Sequence, residues 1–582
     1  MACRPAVVRS LGVALLVSVS ACGDSGDGDS EISITTASST SGETEDATAG
    51  PDETTTSTSD ATSAGPQGET MGATETAGGE LCDPGDTREC YTGPLGTQGV
   101  GLCASGVETC QDDMSWGPCA GEVLPATETC ATPEDDDCDG SVACPLDGFH
   151  VWSSLYLSTE YSSGDAMAID DNDRVVVGGQ FLGTFFPGAV THSASAEEEQ
   201  ESLYVVAYAT DGDPEWSVSF TEAGQQSLNS IAVDGAGNVF FTGHFQSTLE
   251  IGGDLLTSQL PDLPGSGNLY VGKLGPDGAE LWGRAYPTPE ASTGVGVAAT
   301  AGGEVYLHGR HKGTIDLGGG ALPGTQLVAK LSADGEHLWS YGYEGQAIDL
   351  AVGSDDGPVF TGTFQSSADF GGGTLDAQGS QDIFIAKLNA DGEHLWSSAF
   401  TASEGFPRVT DLDVDQSNDI YATGYFRKMM DFGGDEPLNN NTTTEHVFAV
   451  KLTGAGEHIW SDHYGTFQTQ EPTPPQRAAI AGDAAGNTLL TADFSGSIDF
   501  GGGPLSSVGS RDIYVGRYDP AGNHLWSARY GGELFQQARA IAADSELHIV
   551  LTGQSTGVLD FGGDELENEG PVDLFVAELV AP

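Results

Sequence analysis

The sequence contains few positive charges. Lys and Arg account for 19 of its 582 residues, against 87 Asp and Glu, and the formal net charge is −68. A protein this acidic repels nucleic-acid phosphates and anionic lipid headgroups. We therefore expect no nucleic-acid partner, and contact with a membrane only through an anchor.

Long apolar runs and catalytic motifs are also lacking. After the first two dozen residues no run reaches the ~20 apolar residues that a membrane helix needs, and no cysteine follows Cys144. The chain has no GxSxG nucleophile elbow, HExxH helix or phosphate-binding P-loop. We therefore predict a protein that is not an enzyme and has no cofactor. Its many carboxylates leave open the alternative of an extracytoplasmic hydrolase or lyase with its site in a central channel.

Residues 1–21 are predicted to be a lipoprotein signal peptide. Two arginines precede an apolar stretch, Leu11–Ala21, of signal-peptide length. It ends in VSAC, residues 19–22, which resembles the lipobox of bacterial lipoproteins and implies cleavage before a lipidated Cys22. An ordinary secretory signal is the alternative. Gly23, in place of an aspartate at the second mature position, favours the outer membrane or the cell surface.

Residues 22–81 are predicted to form a disordered tether. They are rich in Ser, Thr, Gly, Asp and Glu and contain neither Lys nor Arg. Such a segment cannot bury enough apolar area to offset its conformational entropy, and its charges repel one another. We expect it to hold the rest of the protein away from the membrane.

Residues 82–148 are predicted to form a disulfide-rich module. An even number of cysteines in an exported segment with few large apolar residues indicates disulfides that compensate for a small core. A zinc site is the alternative, but CxxC pairs with ligand spacing are absent. Eight cysteines allow 105 pairings, and the sequence does not choose among them. They are Cys82, Cys90, Cys103, Cys110, Cys119, Cys130, Cys138 and Cys144.

One segment of this module is a candidate calcium site. In EDDDCDG, residues 134–140, Asp135, Asp137 and Asp139 alternate ahead of a glycine and can converge on one hard cation. The string resembles the DxDCDG motif of metal-binding repeats in bacterial surface proteins. Leu146 stands where an EF-hand requires Glu, and a solvated acidic turn is the alternative.

Residues 149–582 consist of a repeated unit. Its four segments are rich in β-branched and aromatic residues and are joined by turns containing Asp and Gly, as in IAVDGAGNVFFTGHF from Ile231 and DGEHLWSSAF from Asp391. A fixed period with four strands is typical of a β-propeller blade. The repeated tryptophans, 57 to 66 residues apart, are Trp152, Trp216, Trp282, Trp339, Trp396, Trp460 and Trp526.

The strand count predicts seven blades and the way in which the ring closes. Strands a and c each occur seven times, and the last unit stops at Pro582 without a strand d. Residues 149–154, FHVWSS, match the strand d motif at the other end. We therefore predict an all-β fold, a seven-bladed propeller closed by an N-terminal strand, which leaves no open sheet edge between the first and last blades.

The repeat resembles the bacterial seven-bladed β-propeller (SBBP) repeat family, with its VxVTGxF, DFGGGxL, DxFVAKL and GxxLWS segments. The resemblance covers about three quarters of the chain, with departures at FFPG, residues 185–188, and at Ala492 in strand b. It implies the fold and an extracytoplasmic setting, but no common reaction. The GxxxW spacing, as in residues 335–339, is also similar to the repeat of quinoprotein dehydrogenases, which have eight blades and often a vicinal disulfide.

Three sets of polar residues recur at the same position in several blades, and we interpret them as structural. The histidines belong to the outermost strand and cannot converge on one ion. The DFGG aspartates are expected to serve a turn, and the strand c lysines to have solvated tips above apolar stems. The sets are His150, His337, His394, His458 and His524; Asp316, Asp369, Asp431, Asp499 and Asp560; and Lys273, Lys330, Lys387 and Lys451.

Loop lengths indicate a recognition face. The b–c and d–a connections share one face of a propeller, and the long segments 187–202, 257–267, 436–445 and 464–477 all belong to it. Variable loops on a rigid scaffold commonly carry binding residues. We therefore predict a monomeric surface lipoprotein, in an oxidising compartment, that binds a protein or glycan on this face. A structural envelope component without a discrete ligand is a further alternative.

Overall fold

The computed structural model describes residues 82–94, 97–100, 102–125, 150–194, 200–260, 267–440, 444–465, 477–568 and 571–580. Every regular element in these ranges is a β-strand. A helix with the length and apolarity of a membrane span does not occur in them. Cys22, the tether and the Asp135–Asp139 motif lie outside the described residues.

Disulfides replace a hydrophobic core in the described part of the cysteine-rich segment. Two short strands, Thr87–Cys90 and Gly106–Thr109, pair antiparallel. Disulfides join Cys82 to Cys110 and Cys90 to Cys119, and Cys103 is disulfide-bonded as well. The buried apolar residues here are themselves cysteines. Disulfide bonding, which the sequence favours over a zinc site, is therefore present, while Cys130, Cys138 and Cys144 lie outside the described residues.

The described residues from His150 onward form seven four-stranded antiparallel blades, each with strand a innermost and strand d outermost. Blades 1 to 3, from a to d, comprise Tyr161–Ile169, Val175–Leu182, Ser202–Tyr208 and Pro214–Phe220; Gln226–Val233, Val239–Phe245, Asn268–Leu274 and Glu280–Tyr286; and Ser292–Ala299, Val305–His311, Gln326–Leu331 and His337–Tyr343.

Blades 4 and 5 share one continuous strand, His394–Val414, which is strand d of the former and strand a of the latter. The other strands of blades 4 to 7 are Gln346–Val352, Pro358–Phe364 and Asp382–Leu388; Ile420–Met430, His446–Leu452 and His458–Tyr464; Ala478–Gly482, Thr488–Phe494, Asp512–Tyr518 and His524–Tyr530; and Gln536–Ala543, Ile549–Ser555, Asp573–Leu579 and His150–Tyr156.

The b–c connections contain additional short strands. These connections lie on the face of the propeller that carries the long segments, which we call the long-loop face. The short strands are Thr184–Phe185 with His192–Ser193, Thr248–Ile251 with Asp254–Thr257, Ser367–Asp369 with Thr374–Asp376, Ser497–Asp499 with Pro504–Ser506, Val558–Leu559 with Leu566–Glu567, and Leu438–Asn439 beside Ile420–Met430.

The ring closes as the sequence predicts. His150–Tyr156 pairs antiparallel with Asp573–Leu579 and supplies strand d of the seventh blade. The Trp152 indole Nε1 donates a hydrogen bond of 2.7 Å to Glu578 Oε2. The prediction of seven blades closed by an N-terminal strand is therefore confirmed.

Neighbouring blades meet through the repeated tryptophan. Trp339 packs on Gly392, in the c–d turn of the next blade, and its Nε1 donates to Ala390 O at 3.0 Å. Trp282 makes the same contacts with Gly335 and with Ala333 O, at 3.1 Å. Each glycine has a positive φ and lies under the ring, where a side chain has no room. The GxxxW spacing thus encodes the contact between blades.

Candidate functional site

Strands a of all seven blades surround a central channel with a cavity of about 1330 Å³. In six of the blades strand a contains a β-bulge, which locally re-aims side chains. The extra residues at the bulges all line the cavity and are Asp165, Asn229, Val295, Ile348, Thr410 and Arg539. The channel wall therefore carries different side chains, four polar and two apolar, at equivalent positions.

Carboxylates occupy the end of the channel opposite the long-loop face. We call it the short-turn end, because the a–b turns lie there, and these carboxylates accept hydrogen bonds from those turns. Asp483 Oδ1 accepts hydrogen bonds from the backbone N–H groups of Ala485, at 2.9 Å, and Asn487, at 2.8 Å. Asp234, Asp170, Asp415 and Asp544 accept equivalent bonds. These aspartates are held by their own turns, as Asx-turn chemistry requires.

The prediction that the strand c lysines have solvated tips is wrong. These lysines are at most 7% exposed, and their ammonium groups pair with carboxylates in or beside the a–b turns. The ammonium groups of Lys273 and Lys451 also lie over the rings of Phe240 and Tyr421. The ion pairs are Lys273–Asp234 (3.9 Å), Lys330–Glu304 (2.5 Å), Lys387–Asp355 (2.6 Å) and Lys451–Asp419 (3.1 Å).

The recurring histidines and DFGG aspartates occupy local structural positions. Each histidine of strand d has its Nε2 within 3.0 Å of a serine Oγ three residues later, as His394 does with Ser397. Asp369 Oδ1 accepts N–H hydrogen bonds from Gly371, at 2.8 Å, and Gly373, at 3.2 Å. Neither set faces the channel, because neither occurs among the residues that line it.

Four arginines line the channel at its long-loop end. Arg310 lies opposite Thr293, at the start of strand a in blade 3, and Arg408 lies opposite Tyr425 in blade 5. Arg477 precedes strand a of blade 6, and Arg539 lies in the bulge of blade 7. Since the d–a connections enter at this end, all four belong to the same mouth.

Two of these arginines are without a carboxylate partner in the described ranges. Arg539 forms an ion pair with Asp165 of the first blade, and Arg408 lies 2.9 Å from Glu445. Arg310 donates from Nε to Ala347 O at 2.7 Å, and neither it nor Arg477 has an ion pair among the described residues.

The pKa of Arg477 is lowered by desolvation and then by the charge of Arg539. That of Arg310 is lowered by desolvation. A guanidinium nevertheless stays charged at neutral pH. The mouth therefore gathers four guanidinium groups in a strongly acidic protein, beside the carboxyls of Asp165 and Asp411.

An exposed aromatic ring lies beside these charges. Phe406 lines the channel two residues before Arg408 in the strand shared by blades 4 and 5, and it is 61% exposed. Exposed apolar surface next to convergent polar groups is typical of a ligand site. The mouth thus combines an aromatic face with guanidinium donors.

Deeper in the channel, aspartates connect the inner strands of blades 4 to 6. Asp349 Oδ2 accepts a hydrogen bond from Leu412 N at 3.0 Å, and Asp411 Oδ2 accepts one from Ile480 N at 2.7 Å. The two carboxyls are also hydrogen-bonded to each other. Burial raises the pKa of Asp349 to about 6, and burial together with the charge of Asp349 raises that of Asp411. Such a pair shares one proton, because two adjacent charges are unfavourable.

Sequence analysis does not identify these residues, and its expectation that the long-loop face binds a partner stays a prediction. Parts of the four long loops lie outside the described residues, so their own role stays a prediction. The arginines come from four blades at irregular separations, and only the closed ring brings them together. Aligning the blades on strand a and marking the rare cations would have found three of them.

Comparisons with known proteins return propellers. No family model matches the sequence. An uncharacterized WD repeat-containing protein of Acanthamoeba polyphaga mimivirus is 21% identical over 470 residues, covering 69% of this chain and 31% of that protein. The chain thus spans about a third of that relative's length. Its similarity is to a WD-repeat protein, while membership of the SBBP lipoproteins stays a prediction.

Solved structures give low-scoring matches. The WD40 domain of Neurospora crassa Pan2 is 8% identical, with a TM-score of 0.35, over 71% of this chain and 88% of that one. The polysaccharide lyase Uly1 is 12% identical, with a TM-score of 0.37, over 72% and 90%. Sqt1 from Chaetomium thermophilum is 11% identical, with a TM-score of 0.34, over 73% and 86%. They include proteins named as enzymes and others that are not.

Proposed function

We propose that this protein is a cell-envelope lipoprotein whose propeller binds an acidic glycan at the long-loop mouth of its channel. The observation that carries the proposal is the group of four arginines at one mouth of a chain with a net charge of −68. Guanidinium groups match carboxylate and sulfate oxygens in geometry and charge. The rest of the protein's acidic surface repels anions. These positive groups would therefore direct an anionic ligand to the mouth of the channel.

Phe406 favours a glycan over an acidic peptide. An exposed ring next to Arg408 can stack on the C–H face of a pyranose, while the arginines bind its carboxylate or sulfate. Arg310 and Arg477 have no ion pair in the described ranges, so their guanidinium groups can pair with an anionic group of the glycan. The cavity of about 1330 Å³ is large enough for a few sugar units.

Glycan binding is tested on an array of acidic and neutral oligosaccharides with the mature full chain. The double variant Arg310→Gln/Arg477→Gln is expected to lose at least about tenfold in affinity for acidic glycans, as is Phe406→Ala. The matched controls are Arg284→Gln, on the outer strand of blade 2, and Phe186→Ala, an exposed ring of a b–c connection. Equal binding of neutral glycans, or unchanged binding by both channel variants, contradicts the proposal.

Envelope anchoring is proposed from Cys22 and supported by the disulfides, which persist in oxidising compartments. One lipidated cysteine and a long acidic tether would hold the propeller outside the membrane. Mass analysis of the mature N-terminal peptide should show acylation of Cys22. The Cys22→Ser protein should appear in the soluble fraction; an unacylated wild-type peptide would refute the anchor.

Acid–base catalysis in the channel is the second candidate, and the Asp349–Asp411 pair favours it. Two adjacent carboxyls whose pKa values are both raised by burial can share one proton, so that one serves as a general acid and the other as a general base. The test is turnover of any acidic oligosaccharide that binds. Cleavage by the wild-type protein that Asp411→Asn abolishes, with binding unchanged, would establish the enzyme.

A further inference from the structure

The seventh blade differs from the others at one buried charged position. In blades 2 to 6, the strand c residue opposite the tryptophan is a lysine or arginine, and it faces a carboxylate of the a–b turn region. In blade 1 this residue is Ala207, and Arg174 provides the cation, 2.9 Å from Asp170. In blade 7 the equivalent residue is Glu578, opposite Trp152.

Glu578 meets a second carboxylate and a histidine. His548 Nδ1 lies 2.8 Å from Glu578 Oε1 and 3.1 Å from Asp544 Oδ2. Glu578 is 5% exposed and Asp544 is 8% exposed. One ligand atom from each of the three residues lies within 4.8 Å of the others. The spacing suits a single metal ion.

Charge balance also favours a cation here. A turn carboxylate in each of the other blades faces a permanently charged ammonium or guanidinium. In blade 7 the two buried carboxylates face one imidazole, and no ammonium or guanidinium group pairs with them in the described contacts. Burying an unbalanced charge is costly. A divalent ion removes this cost.

The outward-facing oxygens of the two carboxylates are already held in place. Asp544 Oδ1 accepts the backbone N–H of Glu546, at 2.9 Å, and of His548, at 2.8 Å. Glu578 Oε2 accepts the indole N–H of Trp152 at 2.7 Å. His548 Nε2 lies 3.8 Å from Glu546 Oε2. Outer partners of this kind orient metal ligands, and they leave Oδ2, Nδ1 and Oε1 facing one another.

We propose that Asp544, His548 and Glu578 bind a zinc ion at the closure of the ring. One imidazole and two carboxylates form a donor set that zinc accepts, with solvent completing the coordination. Calcium and magnesium prefer oxygen ligands alone, and the imidazole disfavours them. Because Trp152 belongs to the closing strand and holds Glu578, bound zinc would stabilise the joint between the first and last parts of the chain. This site is independent of the proposed glycan site.

The experiment is a zinc titration of the chelator-treated full chain by calorimetry, with the melting temperature as a second readout. The decisive variant is Glu578→Lys, because blades 2 to 5 hold lysine at this position and the protein is expected to fold. His548→Asn introduces the residue that blades 2 and 6 hold as Asn238 and Asn487. Each variant should lose at least about 100-fold in affinity for one zinc ion, together with the zinc-dependent rise in melting temperature.

His524→Asn is the control, because His524 belongs to the recurring strand d set and bonds only its neighbouring serine in the described contacts. It should bind zinc as the wild type does. Zinc held elsewhere, for example by acidic segments, is common to all variants and cancels in the comparison. Cobalt substitution should give a visible spectrum without a thiolate band. Equal zinc binding by wild type, Glu578→Lys and His548→Asn, or a site that takes calcium as tightly as zinc, would overturn the proposal.

Discussion

Gly392 lies directly beneath the indole of Trp339, so that a Cβ built on the glycine would lie 2.7 Å from Trp339 Cδ2. This contact, repeated between neighbouring blades, joins the c–d turn of one blade to the outer strand of the blade before it. Gly392 also has a φ of +83°. Two separate demands, a left-handed backbone and the absence of a side chain, therefore fall on one residue.

Replacing Gly392 with alanine should lower the free energy of unfolding through both demands. The left-handed backbone costs about 1–2 kcal/mol for a residue with a Cβ, and the clash with the indole adds about 1–3 kcal/mol. Gly253→Ala is the matched control, because Gly253 has the same φ of +83° with nothing within 4 Å of the new Cβ. Urea unfolding measures the difference, and equal losses would mean that the ring contact contributes nothing.

Removing the indole N–H of Trp152, where the ring closes, should lower the free energy of unfolding. Trp152→Phe keeps an aromatic ring but leaves Glu578 Oε2 without its donor in a buried site, which costs about 1–3 kcal/mol. Trp216→Phe is the comparison, because its acceptor, Pro276 O, retains a hydrogen bond from Arg174. We expect a smaller loss there. If the two variants are equally stable, the Trp152–Glu578 bond does not hold the ring.

Removing one partner of the buried ion pair in blade 6 should strongly lower the free energy of unfolding. Arg517 Nη2 lies 2.7 Å from Asp483 Oδ2, and the Asp483 side chain is fully buried. Arg517→Met leaves that carboxylate uncompensated and should cost about 3–5 kcal/mol. Arg284→Met, on the outer strand of blade 2, should cost about 0–1 kcal/mol, because its partners Asp254 and Glu336 are exposed. Thermal and urea unfolding distinguish the two.

The Asp349–Asp411 pair should make stability fall as pH rises. Both carboxyls have a pKa raised by burial, that of Asp349 to about 6, so the folded state binds more protons than the unfolded state between about pH 4 and pH 6. This contribution is present below pH 4 and is lost as pH rises through the folded pKa.

Asp411→Asn should flatten that dependence. The amide imitates the protonated carboxyl, because its oxygen can accept from Ile480 N while its nitrogen donates to Asp349. In urea unfolding across this range, we expect the variant to have a higher free energy of unfolding than wild type above pH 6 and an equal one near pH 4. A variant less stable than wild type at pH 8 would show that the pair does not share a proton.

The sequence predicts the blade count and the closure because each blade contains the residues that form its turns and its contact with the next blade. The turn glycine, the docking tryptophan and the turn aspartate lie within one unit, and their chemistry acts over short distances. The strand His150–Tyr156 is identified by the same motif. Seven copies leave little freedom for any other arrangement.

The arginines and the lysines show where such inference fails. Arg310 and Arg477 line the same cavity only because the ring closes, and no spacing along the chain indicates it. Lys387 looks like a solvated tip in its strand, but its partner Asp355 arrives from a turn some thirty residues earlier. Contacts that depend on tertiary placement decide the burial of a charge, and composition does not reveal them.

Ring closure also sets an order of events during synthesis. Trp152 emerges 426 residues before Glu578, its partner across the joint. Until then the closing strand has no permanent neighbour, and blades 1 to 6 can form around an incomplete circle. Because synthesis begins at the N-terminus, this strand must avoid wrong pairing for most of translation, and the ring closes only when the last strand is made.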